Sequence, residues 1–242
     1  MNEVLKGKRA LITGSGAGIG KAIAKKFATL GIDVALVART EEKLQATAAE
    51  CEALGVKAYV IPTDLLDEKA VIAAVETAAE KLGGIDILVN NAGIVQAGPM
   101  VDVEVEEFDR VFATNVRAPF MMCKYAMPYL KASDYAEIIN IASVVAHKGY
   151  PWQSIYAASK HAVLGLSKSL ANEVYKDDIR VHVIAPGGVY TEMVAKVRPD
   201  LDPSICMLPE DIAEAAAFFV EHRTNAIVDE IRLHRANAEP FA

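Results

Sequence analysis

Arg9-Ala10-Leu11-Ile12-Thr13 runs directly into Gly14-Ser15-Gly16-Ala17-Gly18-Ile19-Gly20, and the reading of this stretch decides the fold. Its first half is an apolar run of strand length. Its second half places four glycines in seven residues and opens a helical pattern near Gly18. Strand, tight turn and helix in that order begin a parallel β-α-β unit. The alternation continues outward. Short β-branched runs at 9–13, 33–38, 57–61, 86–90, 137–142, 180–185 and 228–234 alternate with helical periodicity at 18–30, 41–54, 67–82, 104–131, 154–175 and 209–221. The strands are nearly continuous apolar runs, as in Ile87-Leu88-Val89, which suits strands covered by helices on both faces. The expected fold class is α/β: a doubly wound, seven-stranded parallel sheet.

Composition bounds the rest. The 242 residues are 52% hydrophobic and 24% charged, enough for a substantial core without disulfide or metal. No linker interrupts the alternation, so 1–242 is expected to form one domain. The one long irregular stretch, 187–208, contains Pro199 and Pro203 and is a candidate substrate lid. With 25 Lys+Arg against 32 Asp+Glu the net charge is −7, which argues against nucleic acid and anionic membranes as partners. Cys51, Cys123 and Cys206 have no metal or redox spacing, and an odd count suits a reducing compartment. The polar start runs straight into a strand, and no apolar run approaches the roughly 18 residues of a membrane span. A cytoplasmic protein is the expectation.

Glycines let a backbone turn sharply and approach a pyrophosphate, while the free N–H groups of a helix start supply donors. The spacing here is TGxxxGxG, on Gly14, Gly18 and Gly20, rather than GxGxxG, because Ile19 holds the third position. A merely flexible turn is the alternative. In a dinucleotide fold an acidic residue about 20 positions on meets the ribose 2′-hydroxyl. The second strand instead ends Ala38-Arg39-Thr40. An arginine there favours a 2′-phosphate, hence NADP(H) over NAD(H), unless Arg39 is an ordinary solvated side chain. Ala17 supplies no second cation in the loop.

Further along, Tyr156 and Lys160 stand at i and i+4, on one face of a helix. An ammonium beside a phenol stabilises the phenolate and lowers a pKa that is otherwise about 10. Such a tyrosine can exchange a proton with an alcohol or ketone oxygen. A helix-surface Tyr-Lys pair is the alternative for this pair in isolation.

Together with Asn90-Asn91-Ala92-Gly93, Asn115, Ser143 13 residues before Tyr156, and Pro186-Gly187 with Thr191, these motifs make the chain resemble the short-chain dehydrogenase/reductase family over nearly its whole length. The resemblance implies a Rossmann-type domain in which the nicotinamide exchanges a hydride with a substrate carbon and Tyr156 exchanges a proton with its oxygen. Ser143 would hydrogen-bond that oxygen. Lys160 would lower the tyrosine pKa and hold the nicotinamide ribose, and Asn115 would organise a water relay to the lysine. The resemblance also implies cofactor contacts from Gly14, Ser15, Gly18, Ile19, Gly20, Asn91, Gly93, Pro186, Gly187 and Thr191, with Asp64 at the adenine. Asp64 is alternatively a helix cap, and Asp86 is expected to be structural. The family often forms dimers or tetramers through the helices near 104–131 and 154–175. Phe112, Phe120, Met121 and Met122 fit that arrangement or simple core packing.

Val95, Val144, Tyr150, Trp152, Val189 and Met193 flank the catalytic residues in sequence and are the nominated pocket walls. Aromatic and apolar walls suit a small carbonyl or alcohol. His147 and Lys148 fit a solvated loop or contact with a polar substituent. An alternative is a 3-oxoacyl reductase acting on acyl carrier protein, whose acidity calls for a basic docking surface. Acidic residues in Lys131-Ala132-Ser133-Asp134-Tyr135-Ala136-Glu137 and Lys176-Asp177-Asp178 oppose it, and Val228-Asp229-Glu230-Ile231 departs from the family's Gly-rich VDGG ending. A third reading is a non-catalytic NADP(H)-sensing regulator, against which the intact Tyr156/Lys160 pair weighs.

Overall fold

Each apolar run becomes a strand because its alternate side chains find a separate core on either face. The computed structural model describes residues 4–197 and 202–238. Its strands are β1 (Arg9–Thr13), β2 (Asp33–Ala38), β3 (Ala58–Pro62), β4 (Ile87–Asn90), β5 (Glu137–Ile141), β6 (Arg180–Pro186) and β7 (Glu230–Leu233). Between them lie α1 (Gly18–Thr29), α2 (Glu41–Glu52), α3 (Glu68–Leu82), α4 (Val105–Phe112), α5 (Ala118–Lys131), α6 (Ser154–Val174), α7 (Glu192–Val197) and α8 (Pro209–Glu221). All strands are parallel, in the order β3-β2-β1-β4-β5-β6-β7.

Residues alternate between faces along a strand, and the two cores record it. Ala10 and Ile12 of β1 pack with Phe27 of α1 and Phe219 of α8, while Leu11 packs with Val75 of α3 and Met122 of α5. Ile87 and Val89 of β4 join the first core and Leu88 the second. Each of these larger side chains, fully buried, contributes about 1.5–3 kcal/mol. The winding direction reverses between β1 and β4, which opens a crevice above their carboxyl ends.

At the opposite, amino-terminal edge the buried charges are paired. Asp86 accepts from Arg9 N and Nε at 2.8 Å, and from Arg9 Nη2 and Ser133 Oγ at 2.6 Å. Burial pushes its carboxyl up, but the hydrogen bonds and the guanidinium charge outweigh this and leave it below the ordinary range. Asp86 is thus structural, as expected. At the start of β5, fully buried Glu137 lies 2.6 Å from His182 Nε2 and accepts from Arg223 Nη1 at 2.9 Å.

The elements depart from the sequence expectation in two places. The helix foreseen over 104–131 is two helices joined by a π-type turn over Ala113–Arg117. Pro119 lacks the N–H that an α-helix would donate to Asn115, and its ring crowds that carbonyl, so the backbone widens there. Met121 and Met122 are core residues, as one of the two sequence readings had it, while Phe120 and Phe108 are exposed. The stretch 187–208 holds α7 and a 3₁₀ turn over Pro203–Ile205, and Val189 bridges Met207. Its residues 198–201, with Pro199, lie outside the described residues. Among the described residues no helix is long and apolar enough to cross a membrane, and no cluster of His, Cys, Asp and Glu suits a metal.

Candidate active site

The glycine loop is fixed by close approach. Gly14 has φ +67°, and a Cβ there would lie 2.7 Å from Asn91 Nδ2 and 2.9 Å from Ala92 Cα. A Cβ on Gly20 would collide with the Gly14 carbonyl and the Asn91 amide, so only glycine lets α1 start beneath the loop. Thr13 closes the crevice floor: its Oγ1 accepts from the amides of Asn91 and Ala92 at 3.0 and 3.1 Å. Asn91 Nδ2 in turn donates to the carbonyls of Thr13 and Gly14.

Two adjoining cavities follow. The larger, about 560 Å³, is lined by Gly14, Gly18, Ile19, Asn91, Gly93, Val95, Ser143, Tyr156, Lys160, Pro186, Gly187, Val189, Thr191 and Met193, among others. The smaller, about 270 Å³, is lined by Arg39, Thr40, Lys43, Asp64 and Thr114 together with Gly14 and Gly93. Most of the residues implied by sequence therefore meet in one crevice at the strand ends. Their sizes suit a drug-sized ligand rather than a protein segment.

Ser143, Tyr156 and Lys160 converge in the larger cavity from the end of β5 and the first turns of α6. Ser143 Oγ donates to the Pro186 carbonyl at 3.2 Å. Lys160 Nζ donates to the Ile141 carbonyl at 2.8 Å and lies 5.8 Å from the centre of the Tyr156 ring. Burial, with no carboxylate alongside, pushes the Lys160 ammonium down to about 8. Burial also raises the Tyr156 phenol, and contact with the Ser143 hydroxyl pulls the other way. Asn115, buried in the π-type turn, accepts from Ile94 N and donates to the Ile94 carbonyl, both at 2.8 Å, and donates to Ser159 Oγ at 3.0 Å. A Cβ on Gly93 would lie 3.3 Å from Asn115 Oδ1 and 3.6 Å from Lys160 Nζ, so these two groups share one small space behind the cavity wall.

Several nominated residues fall elsewhere. Ser15 is fully buried, with its hydroxyl aimed at the Val37 carbonyl, and lines neither cavity. Gly20 lies under the loop rather than on the cavity surface. Asp64 accepts from Leu66 N at 3.0 Å, and the cap of α3 is Asp67, which accepts from Lys69 N at 2.9 Å. Val144, Tyr150 and Trp152 line neither cavity. Trp152, 68% exposed, turns outward through a left-handed backbone (φ +65°). His147 Nε2 is hydrogen-bonded to the Glu230 carboxylate of β7, and Lys148 lies over the Tyr150 ring.

Sequence reasoning missed Arg110, which lines both cavities, and Lys43, which joins Arg39 in the smaller one. Lys43 was discoverable one helical turn past Arg39. It pairs at 2.8 Å with Glu192 of α7, a residue lining the larger cavity. The acidic segments weighed against a carrier protein lie away from this crevice. They precede β5 and β6, at the edge opposite Ser143, and Asp134, Asp177 and Asp178 are paired with Lys8, Lys131 and Arg223.

Comparison with known proteins agrees with this geometry. The family model for short chain dehydrogenase matches residues 8–202. An uncharacterized oxidoreductase of Thermotoga maritima is 38% identical over 199 residues, 82% of this chain and 78% of that one. The 3-oxoacyl-acyl-carrier-protein reductase FabG of Staphylococcus aureus is 33% identical over 229 residues, covering 91% and 93% of the two chains. A short chain dehydrogenase from Burkholderia cenocepacia, solved in complex with NADP, superposes with a TM-score of 0.86 at 36% identity, covering 95% of this chain and 96% of that one. Seven parallel strands wound about a β1/β4 crevice, a TGxxxGxG loop at its floor and these likenesses lead to one conclusion: the chain belongs to the short-chain dehydrogenase/reductase family.

Proposed function

We propose that this oxidoreductase transfers a hydride between NADP(H) and a small carbonyl or alcohol, with Tyr156 as general acid/base. The observation that carries the reading is the convergence of Ser143, Tyr156 and Lys160 in one cavity beside the glycine loop. The residues fit a nicotinamide dinucleotide: the backbone of Gly14, Gly18 and Ile19 lines the larger cavity, and the start of α1 has no side-chain cap and so offers N–H groups to a phosphate. When bound, that cofactor supplies or accepts the hydride.

The chain's own residues supply the rest. In reduction Tyr156 hands its phenolic proton to the substrate oxygen, and the Ser143 hydroxyl donates to the same oxygen as charge develops on it. The Lys160 ammonium stabilises the phenolate left behind, and its depressed pKa lets it pass a proton near neutral pH. Asn115, held by Ile94, fixes the water path behind Lys160. At the other end Arg39 and Lys43 offer two cations to a 2′-phosphate, with Asp64 at the adenine. Lys43 is the second cation that the loop itself lacks. Val95, Val189 and Met193 give the substrate end an apolar wall, and the 187–208 segment serves as its lid. Exposed Phe108 and Phe120 suit a homodimer or homotetramer interface.

A second reading, reduction of 3-oxoacyl groups on a carrier protein, is favoured by the Staphylococcus aureus relative. An NADPH-oxidation screen across ketones, keto acids, sugars, quinones and acyl thioesters separates them. Activity on free carbonyls alone supports the first reading, and activity confined to carrier-bound thioesters supports the second. No oxidation with any compound, despite tight NADPH binding, would overturn both in favour of a non-catalytic sensor.

A further inference from the structure

The two cavities share six lining residues: Gly14, Ala17, Ala92, Gly93, Ile94 and Arg110. Five are uncharged and form the floor of the neck between them. The sixth is an arginine on α4. A dinucleotide lying with its nicotinamide in the larger cavity and its adenosine in the smaller must pass its pyrophosphate through this neck, so the inference rests on the cofactor reading above.

The pyrophosphate carries two negative charges, and among the described residues the neck has no other cation. Lys160 lines only the larger cavity, and Arg39 and Lys43 only the smaller. The first basic residue of α1, Lys21, is bound to Glu50 at 2.6 Å. The loop therefore offers N–H donors and a helix dipole but no full charge.

Arg110 is poised to supply one. Glu107, one helical turn away, holds its Nε and Nη2 at 2.7 Å each, leaving Nη1 without a partner among the described residues. Both side chains are partly exposed, and an exposed ion pair of this kind contributes little. A bidentate guanidinium-phosphate contact is stronger. The helix is tied to the neck through Asn115, five residues on, whose amide is bonded to Ile94 on the floor. We propose that Arg110 exchanges Glu107 for the pyrophosphate of the bound dinucleotide and closes the neck over it, as a cofactor-positioning residue.

The test is equilibrium titration of NADPH and NADH, followed by nucleotide fluorescence, on wild type, Arg110→Gln, Arg110→Lys and Glu107→Gln. Arg110→Gln is expected to raise both dissociation constants by the same factor, about 10-fold, leaving their ratio unchanged, and Arg110→Lys to recover part of the loss. Glu107→Gln should tighten both, because the competing carboxylate is gone. Adenosine 2′-monophosphate, which carries no part of the pyrophosphate, should bind wild type and Arg110→Gln alike. Unchanged dinucleotide affinity in Arg110→Gln, a loss confined to NADPH, or an effect on substrate KM alone would overturn the inference while leaving the cofactor reading standing. Wild type binding neither dinucleotide would overturn that reading and the inference with it.

Discussion

At the strand starts, buried Glu137 is flanked by His182 and Arg223, and Asp86 by Arg9 and Ser133. At the strand ends, Lys160 is buried with a single carbonyl as its acceptor, and the Tyr156 phenol is raised by its surroundings. The same sheet thus carries matched charges on one edge and an uncompensated cation on the other. A buried group without a counter-charge costs stability. Such a group persists where its altered pKa does chemistry. On the proposed function, the amino-terminal edge holds the fold together and the carboxyl-terminal edge gives up stability for chemistry.

Mutations at the two edges should separate these effects. The largest change is expected from Tyr156→Phe, which removes the proton carrier and leaves the ring. Turnover should fall about 1,000-fold, the scale of general acid-base catalysis, with NADPH affinity and melting temperature little changed. Steady-state kinetics beside nucleotide titration check this, and substantial retained turnover would break the assignment of Tyr156. Glu137→Gln should do the reverse, costing about 3 kcal/mol in chemical denaturation because Arg223 loses a buried counter-charge. Activity per folded molecule should be kept.

Lys160→Met sharpens the comparison most, because its two effects have opposite signs. Activity should collapse while stability at pH 7 rises by about 1–3 kcal/mol. The folded ammonium titrates at about 8 and its unfolded counterpart at 10.5. Between those values the unfolded chain binds the extra proton, so this group's penalty on wild-type stability is full below pH 8 and lifts as pH rises toward 10.5. The reductive rate should decline over the same rise, as Tyr156 loses its cationic neighbour. A denaturation series and a pH-rate profile measure both. A destabilised Lys160→Met would show that Lys160 is a structural residue.

Much of this organisation was legible in the chain. The apolar runs of β1, β2 and β4 need no context to be read as buried strands, and Tyr156 and Lys160 share a face by spacing alone. What was hidden depended on direction. Nothing local tells that Ser15 turns its hydroxyl inward to the Val37 carbonyl, or that Trp152 swings out through a left-handed backbone. Arg110 was missed because it reaches the neck from a helix across the crevice. The acids before β5 and β6 lie at the strand starts, away from the strand ends that carry the cavity, which a parallel order dictates but no local signal marks.

The central claim is that the carboxyl-terminal edge performs hydride transfer in one cavity beside the glycine loop. Its most direct test is mass spectrometry of the product formed from a reducible carbonyl with NADPH deuterated on the transferred face of nicotinamide C4. Deuterium on the carbinol carbon, one per cofactor oxidised, is the predicted result. Bound cofactor and bound carbonyl with no deuterium transferred would contradict it.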